Sequence, residues 1–129
     1  MPRRHEDWLI QAKRDLKAAQ DSLANANYEW SAFQAVQAAE KAAKALLRYH
    51  HYEARGHSVV RLLKKAQEFT AVPEELTQAA RELDRHYVQS RYPNSFPEGF
   101  PGEFYDEETA KRCVERARGI LSLVEAALR

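Results

Sequence analysis

Apolar side chains recur every three or four residues along most of the chain, the spacing that aligns one face of an α-helix. From Arg4 to about Ala24, the residues Trp8, Ala12, Leu16, Ala19 and Leu23 draw one such stripe. Asn25, Asn27 and Tyr28 interrupt it. Ser31, with Gln34 three residues later, reads as a capping box that opens a second helix. Its stripe of Phe33, Val36, Ala39, Ala43 and Leu47 carries that helix to about Tyr52. Gly56 is placed to stop it, and Ser58 to cap a short third helix with Val59, Leu62, Leu63, Ala66 and Phe69 turned inward.

Pro73 followed by Glu74 and Glu75 matches the start of a fourth helix, where a fixed backbone angle and acidic side chains suit the positive end of the dipole. Leu76, Ala79 or Ala80, Leu83 and Tyr87 form its stripe, and Pro93 disfavours helical geometry at Tyr92, so this helix should end near Arg91. Residues 92–105, YPNSFPEGFPGEFY, hold three of the five Pro, two of the four Gly and five aromatics, which predicts a structured loop whose rings must pack. Asp106 caps a last helix with Ala110, Val114, Ala117, Leu121, Val124 and Leu128 inward. The fold this predicts is all-α: an antiparallel up-and-down bundle of four main helices plus a short one, as a single domain over 1–129.

Composition narrows the classes. At 129 residues and 44% apolar side chains the chain can form one hydrophobic core, which excludes intrinsic disorder. The one cysteine, Cys113, excludes an internal disulfide framework and a zinc site of several thiolates, and its place beside the last stripe predicts a buried small apolar group. No apolar run approaches the roughly 20 residues of a membrane span, and the polar start MPRRHEDW lacks the apolar stretch of a secretion leader, so the expected compartment is the cytoplasm. A net charge of +1 excludes a uniformly basic polyanion binder, yet the charge is unevenly spread. Residues 40–65 carry seven basic and two acidic side chains, and 66–110 three basic and ten acidic. Such asymmetry serves a phosphate-bearing ligand, self-association or a partner protein, and equally two solvated helix faces.

Several residues could carry chemistry. Lys41 and Lys44, with Arg48 a turn further on, form a basic ridge suited to phosphates, although Glu40 stands at pairing distance from Lys44. His57 either bonds a backbone group or approaches a phosphate at the start of the third helix. Arg91 stands at a helix C-terminus, where a cation is favoured with or without a ligand, and Tyr92 and Pro93 set where it points. Arg81 and His86 could divide a metal-free ribonuclease reaction, the imidazole taking the 2′-hydroxyl proton and the guanidinium stabilising the phosphate. Positions five apart lie about 140° apart around an ideal helix, so the two converge only across a dimer cleft or a distorted turn. The alternative is a pair of solvated helix residues. His50 and His51 are adjacent and diverge, and no metal site is predicted.

Four segments, WLIQAKRDLKAAQDSL, FQAVQAAEKAAKALL, GHSVVRLL and YVQSRYPN, occur in an order that resembles the HEPN (higher eukaryotes and prokaryotes nucleotide-binding) domain family of small helical bundles. Its most specific pieces here are Gln37 with Glu40, Lys41 and Lys44, the His57 to Leu63 segment, and Arg91-Tyr92-Pro93. The resemblance implies nucleotide or RNA binding by Lys41, Lys44, His57, Arg91 and Tyr92, no cofactor, and a homodimer or higher homo-oligomer. It further implies a nucleotidyltransferase as protein partner, with this chain as the toxin-like half of a toxin–antitoxin pair. Active members of the family are metal-independent endoribonucleases that use an Arg followed closely by a His. Arg81 to His86 fits that spacing but precedes the Arg-Tyr-Pro tripeptide. The alternatives are therefore a ribonuclease using Arg81 and His86, and an interaction module without nucleotide binding.

Overall fold

Alanine sets how closely the central helices approach. The computed structural model describes residues 4–129; the first three, part of the polar start considered above, lie outside them. Helix α1 (Arg4–Ala24) buries Ala12, Leu16 and Ala19, and α2 (Tyr28–Tyr49) buries seven alanines together with Val36, Leu46 and Leu47. With no side chain beyond Cβ at these positions, the two helices pack along their length, joined by a turn in which Ala26 takes the left-handed φ of 63°. α2 is the hub: α1, α3 (Val59–Ala66), α4 (Glu74–Gln89) and α6 (Glu107–Ala127) all contact it. One shared core of Leu46, Leu63, Leu83, Ile120 and Val124 lies between them. The chain is thus all-helical, with α1, α2, α4 and α6 as the long elements of the bundle.

Four local readings of the sequence are corrected. α2 starts at Tyr28, so Ser31 is not a cap: it is fully buried inside the helix and its hydroxyl donates to the Ala19 carbonyl at 2.7 Å, fastening α2 to α1. α2 also ends at Tyr49 rather than near Tyr52, because His51 takes a φ of 63° and the Tyr52 amide turns back to the Leu47 carbonyl at 2.9 Å. Phe69 falls beyond the end of α3 and does not enter the core; it stacks on His50 with ring centres 4.3 Å apart. The segment 92–105 is more ordered than a loop, with a 3-10 turn at Pro93–Ser95 and a short α5 (Pro101–Phe104). Its Phe96 and Phe104 rings stack at 4.5 Å, and Tyr105 is buried. The expected caps at Ser58 and Asp106 are present, each accepting from the amide three residues on.

No helix of the described residues is long and apolar enough to cross a membrane. The core makes a direct prediction. Leu46 is fully buried at the meeting of the helices, so Leu46→Ala should lower unfolding free energy by about 2–5 kcal/mol, read from urea denaturation, while Ser31→Ala should cost only about 1 kcal/mol.

Candidate functional site

The first turn of α3 exposes backbone N–H groups that need acceptors. Two come from Asp84, across on α4. Its carboxylate accepts from the Val59 amide at 2.7 Å, the Val60 amide at 3.1 Å and the Ser58 hydroxyl at 2.8 Å, while Ser58 Oγ accepts from the Arg61 amide at 3.2 Å. A negative charge from within the chain therefore occupies the positive end of this helix dipole. His57 bonds neither of these amides.

His57 turns instead toward α2. Its Nδ1 lies 3.2 and 3.3 Å from the two carboxylate oxygens of Glu40, a residue only 4% exposed, whose Oε2 also accepts from Lys44 Nζ at 3.0 Å. The imidazole stacks on Tyr87 of α4, ring centres 5.0 Å apart and planes 16° apart. Arg91 follows on the other side of the same contact chain. Its Nε donates to the Tyr87 carbonyl at 2.9 Å, and its guanidinium carbon stands 4.4 Å from the centre of Phe33, 4.7 Å from Tyr87 and 5.1 Å from Tyr92. Lys44, His57, Arg91 and Tyr92, four of the predicted binding residues, thus share one connected face with Glu40, Tyr87 and Phe33.

Lys41 does not join it. Its ammonium pairs with Asp15 of α1 at 2.6 Å. Arg48 pairs with Glu53 at 3.1 Å and, like Lys44, lies over the Trp8 ring, so every cation of the expected ridge has a carboxylate within the chain. What the face does offer is a guanidinium using one of its five N–H groups on backbone and framed by three rings, beside an imidazole whose side chain is 59% exposed and an exposed Tyr92. Such a set can bond an oxyanion through Arg91 and stack a flat ring on the exposed aromatics.

Arg81 and His86 have separate surroundings. Arg81 is exposed, with Nη1 3.6 Å from Glu74. His86 is half-buried, and its Nδ1 lies 2.6 Å from the buried Tyr105 hydroxyl. Within one chain the structure does not bring the two together. Burial holds the His86 pKa below its ordinary value; the Glu82 carboxylate opposes this, and the charges of Arg85 and Arg112 reinforce it. Burial likewise pushes the Cys113 thiol up to about 12, aided by Glu82 and opposed by Arg112 and Arg116, so it is no thiolate nucleophile at neutral pH. Glu82 itself is 6% exposed. Burial would raise its pKa, but the hydrogen bonds and charges of Arg112 and then Arg116 outweigh this and hold it below the usual carboxylate value. Among the described residues no group of three or more His, Cys, Asp and Glu is arranged to hold a metal ion.

Sequence reasoning missed Asp84 as the cap of α3, Tyr87 as the plate between His57 and Arg91, and the Glu82 pairing with α6. The i, i+4 relation of Tyr87 to Arg91 was the one local signal available. Asp84 to Val59 and Glu82 to Arg112 are tertiary contacts without a spacing rule.

The model of the HEPN domain matches residues 5–127. Solved structures similar to this chain include these three. TT1696 from Thermus thermophilus is 40% identical, with a TM-score of 0.95 over 98% of this chain and 99% of that one. ST0689, an archaeal HEPN homologue, is 40% identical with a TM-score of 0.84 over the whole of both chains. A HEPN domain protein from Thermotoga maritima is 34% identical, with a TM-score of 0.78 over 95% of this chain and 97% of that one. The comparison with curated proteins gave no match.

Two outcomes follow from this geometry. Asp84→Ala leaves the Val59 and Val60 amides without their acceptor, and should cost about 1–3 kcal/mol in urea denaturation while raising amide exchange at 59–61. Because His86 binds its proton less readily folded than unfolded, the unfolded chain holds more protons below the ordinary value of 6.5, so stability should fall as pH drops through that value. An NMR titration should place the His86 midpoint below 6.5.

Proposed function

The chain belongs to the HEPN domain family, and from that premise we propose that it binds a nucleotide or RNA on the face of His57, Tyr87, Arg91 and Tyr92. The observation that carries this reading is Arg91. A guanidinium whose Nε is fixed by a backbone carbonyl, and whose planar body rests among Phe33, Tyr87 and Tyr92, presents its remaining N–H groups as a preorganised fork. A fork of that kind matches the paired oxygens of a phosphate. The neighbouring rings of Tyr92 and His57 supply the stacking surface that a base accepts. Glu40 and Lys44 act behind them: the buried carboxylate orients the imidazole and the ammonium balances its charge.

In this reading the protein works as a homodimer or higher oligomer beside a nucleotidyltransferase, as the toxin-like member of a toxin–antitoxin pair. Trp30, Phe100 and Phe104 support an assembly, since each keeps half or more of its surface exposed.

A second reading is a metal-independent endoribonuclease, and His86 favours it. Its lowered pKa keeps the ring neutral near pH 7, the form that accepts a proton from a 2′-hydroxyl. Arg81 is exposed and would have to reach the His86 of a second copy to stabilise the phosphate.

One experiment separates these. A labelled single-stranded RNA is mixed with the protein without metal, and both anisotropy and cleavage are read. The binding reading expects retention of the RNA without cleavage, with affinity lowered about tenfold or more in Arg91→Ala. Cleavage abolished by His86→Ala and by Arg81→Ala would establish the second reading. Neither binding nor cleavage, with nucleotides also unbound, would reject both.

A further inference from the structure

Between α4 and α6, on helix faces that the nucleotide reading does not use, runs a groove of about 450 Å³ lined by Glu75, Leu76, Ala79, Arg112, Glu115, Arg116 and Gly119. Two of its lining residues, Arg112 and Arg116, share one carboxylate. The buried Glu82 receives two guanidiniums where one would neutralise it: Arg112 Nε donates to Oε2 at 2.5 Å and Arg116 Nε to Oε1 at 2.9 Å. The two arginines are one turn apart on α6, so a single carboxylate fixes both rotamers. Each guanidinium uses only its Nε–H on Glu82. Its Nη edge finds no hydrogen-bond partner among the described residues, and the side chains are 43% and 34% exposed. Two guanidiniums fixed by one carboxylate, with Nη donors left over, can together bond an oxyanion.

We propose that this groove is a binding site for a small organic carboxylate. The lining chooses that class over others. Leu76, Ala79 and Gly119 give an apolar floor, with Gly119 so near Leu76 that an added Cβ would lie 3.2 Å from its Cδ2. Glu75 and Glu115 line the same groove and are exposed, so they repel a doubly charged anion more strongly than a singly charged one. A polyphosphate or nucleic-acid backbone sets several negative charges against those two carboxylates; a monoanion sets one, and its short apolar body lies on the floor. The site is independent of the nucleotide reading.

The test is an NMR titration of the whole protein, following the arginine Nε–Hε signals with butyrate as probe, butanamide as the neutral control and inorganic phosphate at pH 8 as the doubly charged one. Butyrate should shift the Arg112 and Arg116 signals saturably with a millimolar Kd, butanamide should leave them unmoved, and phosphate should bind more weakly. Arg116→Lys should weaken butyrate about tenfold, because an ammonium keeps the charge without the fork. If that variant fails to fold, Glu115→Gln, at an exposed position, serves instead and should tighten butyrate and narrow the gap to phosphate. Shifts that do not saturate, that spread equally over the other arginines, or that are largest with phosphate in the wild type would overturn the proposal.

Discussion

Asp84 is the constraint on which the described face depends. A helix as short as α3 leaves nearly as many amide groups open at its start as it closes inside, and the acceptor that makes it stable comes from another helix. That single carboxylate ties α4 to α3 and sets the position of the residues just before the helix. His57 is therefore held where it reaches the buried Glu40 of α2 on one side and the ring of Tyr87 on the other. From Tyr87 the same continuity passes to Arg91, four residues on. α3 and α4 share the buried core through Leu63 and Leu83, and the carboxylate and backbone donors above it fix where the face residues stand.

Glu40 and Glu82 use one device in two places. Each is a carboxylate nearly excluded from water, and each carries two cationic or ionisable partners that would otherwise be free to move. Burying such a group costs free energy unless its oxygens are bonded, and here both oxygens of both residues are. What results is orientation more than stability: an imidazole aimed outward in one case and a pair of guanidinium forks in the other.

The parts legible in the sequence are those governed by short-range rules. The stripes of α1 and α6, the cap residues Ser58 and Asp106, and the helix-stopping effect of Pro93 all depend on neighbours within a turn or two, and the structure agrees with them. Ser31 failed as a cap because its capping pattern is local whereas its actual acceptor, the Ala19 carbonyl, belongs to the preceding helix. The end of α2 was misplaced because a histidine took a left-handed backbone angle that the pattern assigns to glycine. The candidate site was legible as residue types, and of its pairings only the i, i+4 contact of Glu40 with Lys44 was. Lys41 and Lys44 look alike in sequence, yet one leans on α1 and the other inward to Glu40, a distinction made only when α1 packs against α2.

The alanine seam between α1 and α2 has a consequence for the order in which the molecule assembles. The helices α1 and α2 are adjacent in sequence, joined by a three-residue turn, and their meeting surfaces are rich in alanine, which has no side-chain rotamers to arrange. Bringing them together closes a short loop at little entropic cost. A helical hairpin of α1 and α2 is thus a local template for the segments that follow it, and α6, the most distant of them in sequence, packs on both of its helices.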